Sequence, residues 1–332
     1  MKFTLIVCTY MRPKPLLDLL NSVKEQSLYP NQIIIVDGST NEETKYILEQ
    51  NIFENLIYFK VDETQRGLTK QRNFGISKVN KVINVVCFLD DDIILEDNYF
   101  KNLINTYTEN PQTVGVGGYI TNEVKWYKAN SNNTKAVQFC YDNWCRDEPS
   151  RFKITQKLGL VTDDKPAFMP NYSHGRSVGF LPPSDKTYEV ELFMGGVSSY
   201  KKEVFENIKF SPYFEGYGLY EDADFCLRLS KYGKLYVNTS AKCEHFHNAL
   251  GRPNMFKYGK MVIRNGWYVW RVKYPKPDLK ARLKWNLTAL LLTLIRFSNV
   301  LNSSNKKSGF FEGIGRVYGW LSLLTNKPKI AR

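Results

Sequence analysis

The first 92 residues alternate short apolar runs with segments of helical spacing, and this alternation restricts the possible folds more than any other feature of the chain. Phe3 to Cys8, Ile33 to Val36, Leu56 to Val61 and Val82 to Leu89 are rich in Ile and Val and lack a polar-apolar alternation, as strands buried on both faces do. Between them, Leu16, Leu20 and Val23 recur at helical spacing after Pro13 and Pro15, and Leu68, Arg72, Ile76 and Val79 do the same. Thr40 with Glu43 reads as a capping box ahead of Tyr46, Ile47 and Leu48. Strand, helix, strand, helix predicts an α/β fold with a mostly parallel sheet and right-handed crossovers, whose ligands bind beyond the carboxyl ends of strands. Three polar clusters fall at such ends: Thr9 to Arg12, Asp37-Gly38-Ser39 and Asp90-Asp91-Asp92.

Residues 125 to about 190 lose this rhythm and are rich in Asn, Asp, Lys, Pro and aromatics, which reads as an insertion or lid over the site. A second ordered block runs from Phe193 to His247, and a boundary near Pro253 divides a body from a C-terminal region. Charge marks the same division. Of 46 Lys and Arg, 17 lie in residues 252–332 against two acids, Asp278 and Glu312, so the first 251 residues are close to neutral. A basic tail on a neutral body argues against a nucleic-acid-binding domain and towards a localised anionic partner such as a phospholipid surface, a solvated basic tail being the plainer reading. Six scattered cysteines without a CxxC pair make a zinc site improbable, and the N-terminal apolar run is too short for a secretory leader. The expectation is a cytoplasmic chain with reduced thiols.

A dinucleotide fold would place GxGxxG after the first strand, where the chain reads CTYMRPKP, and no GxxxxGK[ST] occurs. Without a glycine cradle, a diphosphate can be held through a divalent cation, and three carboxylates after VVCFL supply hard oxygen ligands for Mg²⁺ or Mn²⁺. An acidic turn capping a helix is the plainer alternative.

VCTYMRP, IIIVDGS, GLTKQRNFGI, FLDDDIIL, FMGGVSSYKKEVF and GYGLYEDADFCLRL, in that order over residues 1 to about 250, resemble the family 2 glycosyltransferases of GT-A fold. The resemblance implies an inverting transferase using a nucleotide-sugar donor and a divalent metal. It assigns Thr9, Tyr10 and Arg12 to nucleotide contact, Asp37 to the base of a uridine or thymidine donor, and Arg72 with Asn73 to the donor's side. An ionised Asp can accept the imide N–H that uracil and thymine share, and an arginine fork suits phosphate. Within the triplet Asp90 would lie towards the ribose, Asp92 would bind the metal and Asp91 has no assigned role beyond the donor pocket; His245 would complete the metal site, with His247 a weaker candidate. Asp222 matches the general base, flanked on the acceptor side by Glu221 and Asp224, with Gly195 and Gly196 lining the approach of a sugar. As acids in the first turn of a helix, Glu221, Asp222 and Asp224 could equally be caps, and a helix N-terminus would lower the Asp222 pKa.

The resemblance divides the chain into a catalytic domain at 1–252 (donor half 1–124, lid 125–190, acceptor half 191–252) and a basic amphipathic region at 253–332. In the latter, NLTALLLTLIRFSNVL is too short and too interrupted to span a bilayer. Phe310, Phe311, Ile314, Val317, Tyr318, Leu321 and Leu324 share a helical face, which fits an anionic membrane surface bearing a lipid-linked glycan, packing onto the body or a dimer contact. No QxxRW motif or multi-span segment points to processive synthesis, so single-sugar addition is expected. A nucleotide-sugar-forming nucleotidyltransferase would want a glycine-rich loop after the first strand. A non-catalytic nucleotide-sugar or membrane-binding module would have no need of both Asp92 and Asp222.

Overall fold

A computed structural model describes residues 1–129, 138–247, 254–302 and 306–330. The boundary expected near Pro253 lies outside them. All four apolar runs form strands: β1 (Phe3–Thr9), β2 (Gln32–Asp37) and β4 (Val85–Asp90) are buried as expected, while β3 (Leu56–Lys60) is only half-buried because it lies at the sheet's edge. They pair in parallel in the order β4-β1-β2-β3. Helices α1 (Pro13–Lys24), α2 (Glu43–Glu49) and α3 (Leu68–Ser77) connect them. The capping box does not form. The α2 cap is Glu42 without a side-chain bond, and Thr40 Oγ1 reaches Met11 Sδ at 3.6 Å.

Beyond β4 the sheet continues through β5 (Ile93–Leu95), β6 (Thr113–Ile120), β10 (Thr187–Val190), β11 (Val197–Lys201) and β12 (Lys234–His245), giving nine strands in the order β10-β12-β6-β11-β4-β1-β2-β3 with β5 on β12. Only β5, β10 and β11 oppose the general direction. Alternation along β1 sends Phe3, Leu5 and Val7 to the layer of α1 and α4 (Tyr99–Glu109), and Ile6 to the layer of α3 and α6 (Glu221–Leu229). Both faces are therefore covered, which is why these strands carry no polar alternation.

The described residues of the irregular segment are structured. A small antiparallel sheet of β7 (Tyr127–Lys128), β8 (Gln138–Tyr141) and β9 (Trp144–Asp147) precedes α5 (Ser150–Lys157), and the segment's last four residues are β10 of the main sheet. Register places Cys140 opposite Cys145, and the two form a disulfide, which corrects the expectation that every thiol is reduced. The other four cysteines are free.

Among the described residues the C-terminal region holds three helices, α7 (Met255–Lys273), α8 (Leu279–Asn302) and α9 (Lys306–Thr325). α7 is part of the core. Tyr268, Val269 and Val272 pack with Phe214 and Leu227, Trp270 stacks on Trp285 of α8 at 5.4 Å, and Lys273 Nζ bonds Glu191 Oε1 at 2.7 Å. Against α7, α9 turns its glycines inward, because a Cβ at Gly315 would overlap the Phe256 carbonyl and one at Gly259 the Glu312 carbonyl. Its aromatic face is thereby left exposed, Phe310, Phe311, Tyr318 and Leu321 among it.

Candidate active site

The sheet brings the three polar clusters together at one edge. β1 pairs Cys8 with Asp90 and Thr9 with Asp37, so the loops after β1, β2 and β4 open side by side. Met11 occupies the left-handed region (φ 58°) and donates its N–H to Ser39 Oγ at 2.7 Å, fixing the first loop on the second. Gln71, which the sequence reading passed over, ties the same loops from below through Thr9 O (3.2 Å) and Val36 O (2.8 Å).

Each member of the triplet has its own surroundings. Asp91 is buried and accepts from Thr9 Oγ1 at 2.6 Å and from Arg12 Nη1 at 2.9 Å. Burial raises its pKa to about 6 against the pull of Arg12 and Thr9. It braces the loop after β1, and Thr9, equally buried, belongs to the brace. Asp92 sits between Arg12 Nη1 (3.3 Å) and His245 Nε2 (3.2 Å). Asp90 is the open member, its side chain 40% exposed, with Arg72 Nη2 at 3.6 Å.

Strand pairing explains His245. β12 runs antiparallel to β5 with His245 opposite Ile93, and Phe246 N donates to Asp92 O at 2.9 Å, so a histidine more than 150 positions downstream meets the triplet. One ligand atom each from Asp90, Asp92 and His245 lies within 4.8 Å of the others. Two carboxylates and an imidazole on a solvent-reached edge suit a divalent cation such as Mn²⁺. Burial alone would lower the His245 pKa, but its bonds to Asp92 and Glu123 outweigh that and lift it to about 9.

The second half of the site comes from α6. Tyr220 enters it in the left-handed region (φ 69°), which turns Glu221 inward and Asp222 towards the cleft. Asp222 Oδ2 accepts from Gly195 N at 3.1 Å and Oδ1 from Ala223 N at 2.7 Å. Contrary to the helix-terminus expectation, its pKa is raised: burial exceeds the lowering by those two N–H groups. Glu221 is ion-paired to Arg72, and burial drives its carboxyl up to about 8 with Arg72 opposing.

Arg72 links the halves. It is 2% exposed, held between the Phe88 and Phe210 rings at 5.4 and 5.2 Å, and contacts Glu221 and Asp90. Its fork is engaged with Glu221 and Asp90 inside the protein. Gly195 and Gly196 leave no room for a side chain beside these groups. A Cβ on Gly195 would come 2.5 Å from Glu221 Oε1 and 2.8 Å from Arg72 Nη1, and one on Gly196 would come 2.5 Å from Asp90 Cγ.

Three further residues face away from the cleft. Asp37 is fully buried, accepting from Tyr58 Oη and Ser39 N at 2.8 Å each, so it presents no oxygen to a base in this geometry. Asn73 spends both amide groups on the Phe210 backbone, at 2.9 and 3.0 Å. Asp224 is fully buried against Arg228 at 2.6 Å and anchors α6 rather than meeting an acceptor. Tyr10 remains available: its ring is 41% exposed, with the Arg66 guanidinium 5.8 Å from its centroid. The sequence reading also missed Asn122 and Glu123, although Thr121-Asn122-Glu123 is a polar cluster after an apolar run like the three it used.

A mostly parallel sheet covered on both faces, with an acidic triplet at the carboxyl end of its central strands, defines the GT-A class of nucleotide-sugar enzymes. The chain belongs to glycosyl transferase family 2, whose family model matches residues 4–169, and is a glycosyltransferase. Residues 176–257 match a second family model, described as the N-terminal domain of galactosyltransferase. Among curated relatives, the O-antigen chain rhamnosyltransferase of Salmonella typhimurium is 24% identical over 314 residues, covering 90% of this chain and 88% of that one. The glucosyl-dolichyl phosphate glucuronosyltransferase of Haloferax volcanii is 30% identical over 123 residues, 36% of this chain and 38% of its own. In fold, the chain resembles a mannosyltransferase from Pyrobaculum calidifontis described in complex with GDP-Man and Mn²⁺, with a TM-score of 0.54 at 13% identity, over 98% of this chain and 88% of that one.

Proposed function

We propose that the enzyme transfers a single sugar from a UDP- or dTDP-linked donor to a hydroxyl of a growing glycan with inversion, Asp222 acting as general base. The observation that carries this reading is that Asp222 and Asp90 lie against the adjacent glycines Gly195 and Gly196 and are joined through Glu221 and Arg72. Donor groups would be held by the half at 1–124, the acceptor by the half at 191–252, and the sugar selected by the insertion at 125–190, with 1–252 as the catalytic unit. Asp222 takes the acceptor proton as its oxygen bonds the anomeric carbon; the bond to the diphosphate breaks and its electron pair leaves with the diphosphate. A raised pKa makes Asp222 a stronger base than an exposed aspartate. Asp90, Asp92 and His245 are the residues that would hold Mn²⁺ or Mg²⁺, which when bound neutralises charge on the leaving diphosphate. A panel of nucleotide sugars tests this: Asp92→Ala is expected to lose metal-dependent donor binding, whereas Asp222→Asn keeps binding and loses about 10²–10⁴-fold in transfer. Full transfer by Asp222→Asn removes it as base.

The acceptor is proposed to be lipid-linked and the enzyme peripheral at the cytoplasmic membrane face. Leu279, Leu283, Leu287, Leu290 and Leu294 are each more than half exposed and, at 100° per residue, fall within an arc of about 80° on α8. The exposed aromatics of α9 add a second stripe, with exposed Lys280, Arg282, Lys306 and Lys307 on the same two helices. Apolar stripes with cations beside them suit an anionic bilayer surface, and no helix among the described residues is long and apolar enough to cross one. The names of the two relatives, an O-antigen chain and a dolichyl phosphate, support a glycan carried on lipid. Flotation with anionic vesicles at low salt should carry the protein upward and Leu287→Glu/Leu290→Glu should abolish it; unbound wild-type protein refutes the membrane reading.

A further inference from the structure

His245 is gripped from two sides. Asn122 Nδ2 donates to its carbonyl at 3.1 Å while Asn122 Oδ1 accepts from its N–H at 3.0 Å, so one side chain fixes the backbone in both directions. The next residue, Glu123, places Oε1 3.1 Å from His245 Nδ1, and the opposite ring nitrogen, Nε2, faces Asp92 Oδ1 at 3.2 Å. A neutral imidazole carries one N–H and one lone pair. A ligand imidazole must be neutral; with its one hydrogen on Nδ1 and donated to Glu123, the lone pair is left on Nε2, aimed at the space shared with Asp90 and Asp92.

We propose that Glu123 is a positioning residue for the cation site: it selects the His245 tautomer and ring orientation while Asn122 fixes the backbone beneath. Such an outer carboxylate raises ligand basicity and removes the need for the ring to find its pose on binding. The proposal rests on the reading that Asp90, Asp92 and His245 hold a divalent cation. His247 is the rival use of Glu123. Its Nε2 is 3.1 Å from the same Oε1 and its ring centroid is 3.9 Å from that of His245, so Glu123, His245 and His247 could form a cation set of their own. The Asn122 clamp favours the first arrangement, because it holds His245 alone, whereas the His247 side chain is 53% exposed.

The test is binding of Mn²⁺ alone to the full chain, followed by the electron paramagnetic resonance signal of the free ion, with melting curves for each variant. Glu123→Ala should weaken binding by about 10–100-fold without a change in melting temperature. Glu123→Gln, whose amide oxygen still accepts from Nδ1, should recover part of that loss, and His247→Ala should bind as wild type. Wild-type affinity in Glu123→Ala overturns the positioning role. A loss in His247→Ala equal to that in Glu123→Ala overturns it too, in favour of the Glu123–His245–His247 site. If instead the wild type and His245→Ala bind Mn²⁺ equally, the underlying cation reading falls.

Discussion

Replacing Gly196 by alanine should separate activity from stability, because the new methyl group would displace a carboxylate that is free to move. The added Cβ would stand 2.5 Å from Asp90 Cγ and nearer still to Oδ2, while ordinary contact begins at 3.4 Å. The backbone cannot yield cheaply, since Asp90 N donates to Gly196 O at 3.0 Å and β11 continues on β4 through Val197 and Leu89. The Asp90 side chain can, being 40% exposed, but swinging away takes it off both the cation set and Arg72. A misplacement of about 1 Å in a positioned group costs about 10²-fold in rate. Because the strain is relieved by rotation, the stability loss should be near the low end for overpacking, about 1 kcal/mol. Metal-dependent donor turnover should therefore fall about 10²-fold in Gly196→Ala. Gly75→Ala is the control. There the Cβ would press on Ile6 Cγ2 at 2.8 Å and Val36 Cγ2 at 3.3 Å, in the core away from the cleft, so stability falls and the specific activity of folded protein is kept. Wild-type turnover in Gly196→Ala refutes the claim that Asp90 must occupy its present place.

Arg72→Met removes the only cation beside Glu221 among the described ion pairs and, at about pH 9 where Glu221 is ionised, should cost about 3–5 kcal/mol by chemical denaturation, with Arg72→Met/Glu221→Gln recovering most of it; a loss under about 1 kcal/mol would show the pair to be idle. The acid limb of the transfer rate should fall above the ordinary aspartate value of 3.8, because burial raises Asp222 and the base works only when ionised; a midpoint at or below that value contradicts the assignment. Alkylation of the denatured chain, followed by mass spectrometry, should modify four cysteines before reduction and six after, with Cys140 and Cys145 the protected pair.

Where the sequence reading succeeded, local pattern was enough. Runs without polar alternation are buried on both faces, and polar residues after such runs lie at a strand's carboxyl end, which located the triplet, the loop after β1 and the His245 region. Sequence spacing does not carry side-chain direction. Asp37, Asn73, Asp91 and Asp224 all lie near the cleft, yet each is turned into the protein by a partner that sequence spacing does not reveal: Tyr58, the Phe210 backbone, Arg12 and Arg228. A three-residue carboxylate run cannot say which member faces inward, because that depends on whether the strand ends at its first or third residue. The Cys140–Cys145 bond was missed for a related reason, since it follows from the register of a hairpin rather than from a CxxC spacing. In α9 the aromatic face was seen, but not that glycines would be preferred at the helix interface, which needs the close approach of α7.

Arg72 shows what these inward turns achieve. An arginine reaching for phosphate in an empty cleft would have to be held in a charged, solvated pose, and would compete with a cation for Asp90. Buried between Phe88 and Phe210 and paired with Glu221, it lies beneath the cleft, 3.6 Å from the one exposed carboxylate of the triplet. Its charge lowers the cost of keeping Asp222 ionised near Asp90, since it acts to lower the Asp222 pKa while Asp90 acts to raise it. Gly195 and Gly196 permit this, because any side chain at either position would separate the two carboxylates from their shared cation. The glycines, the arginine and the two acids therefore form one unit, and it should tolerate the loss of its parts together better than the loss of any one.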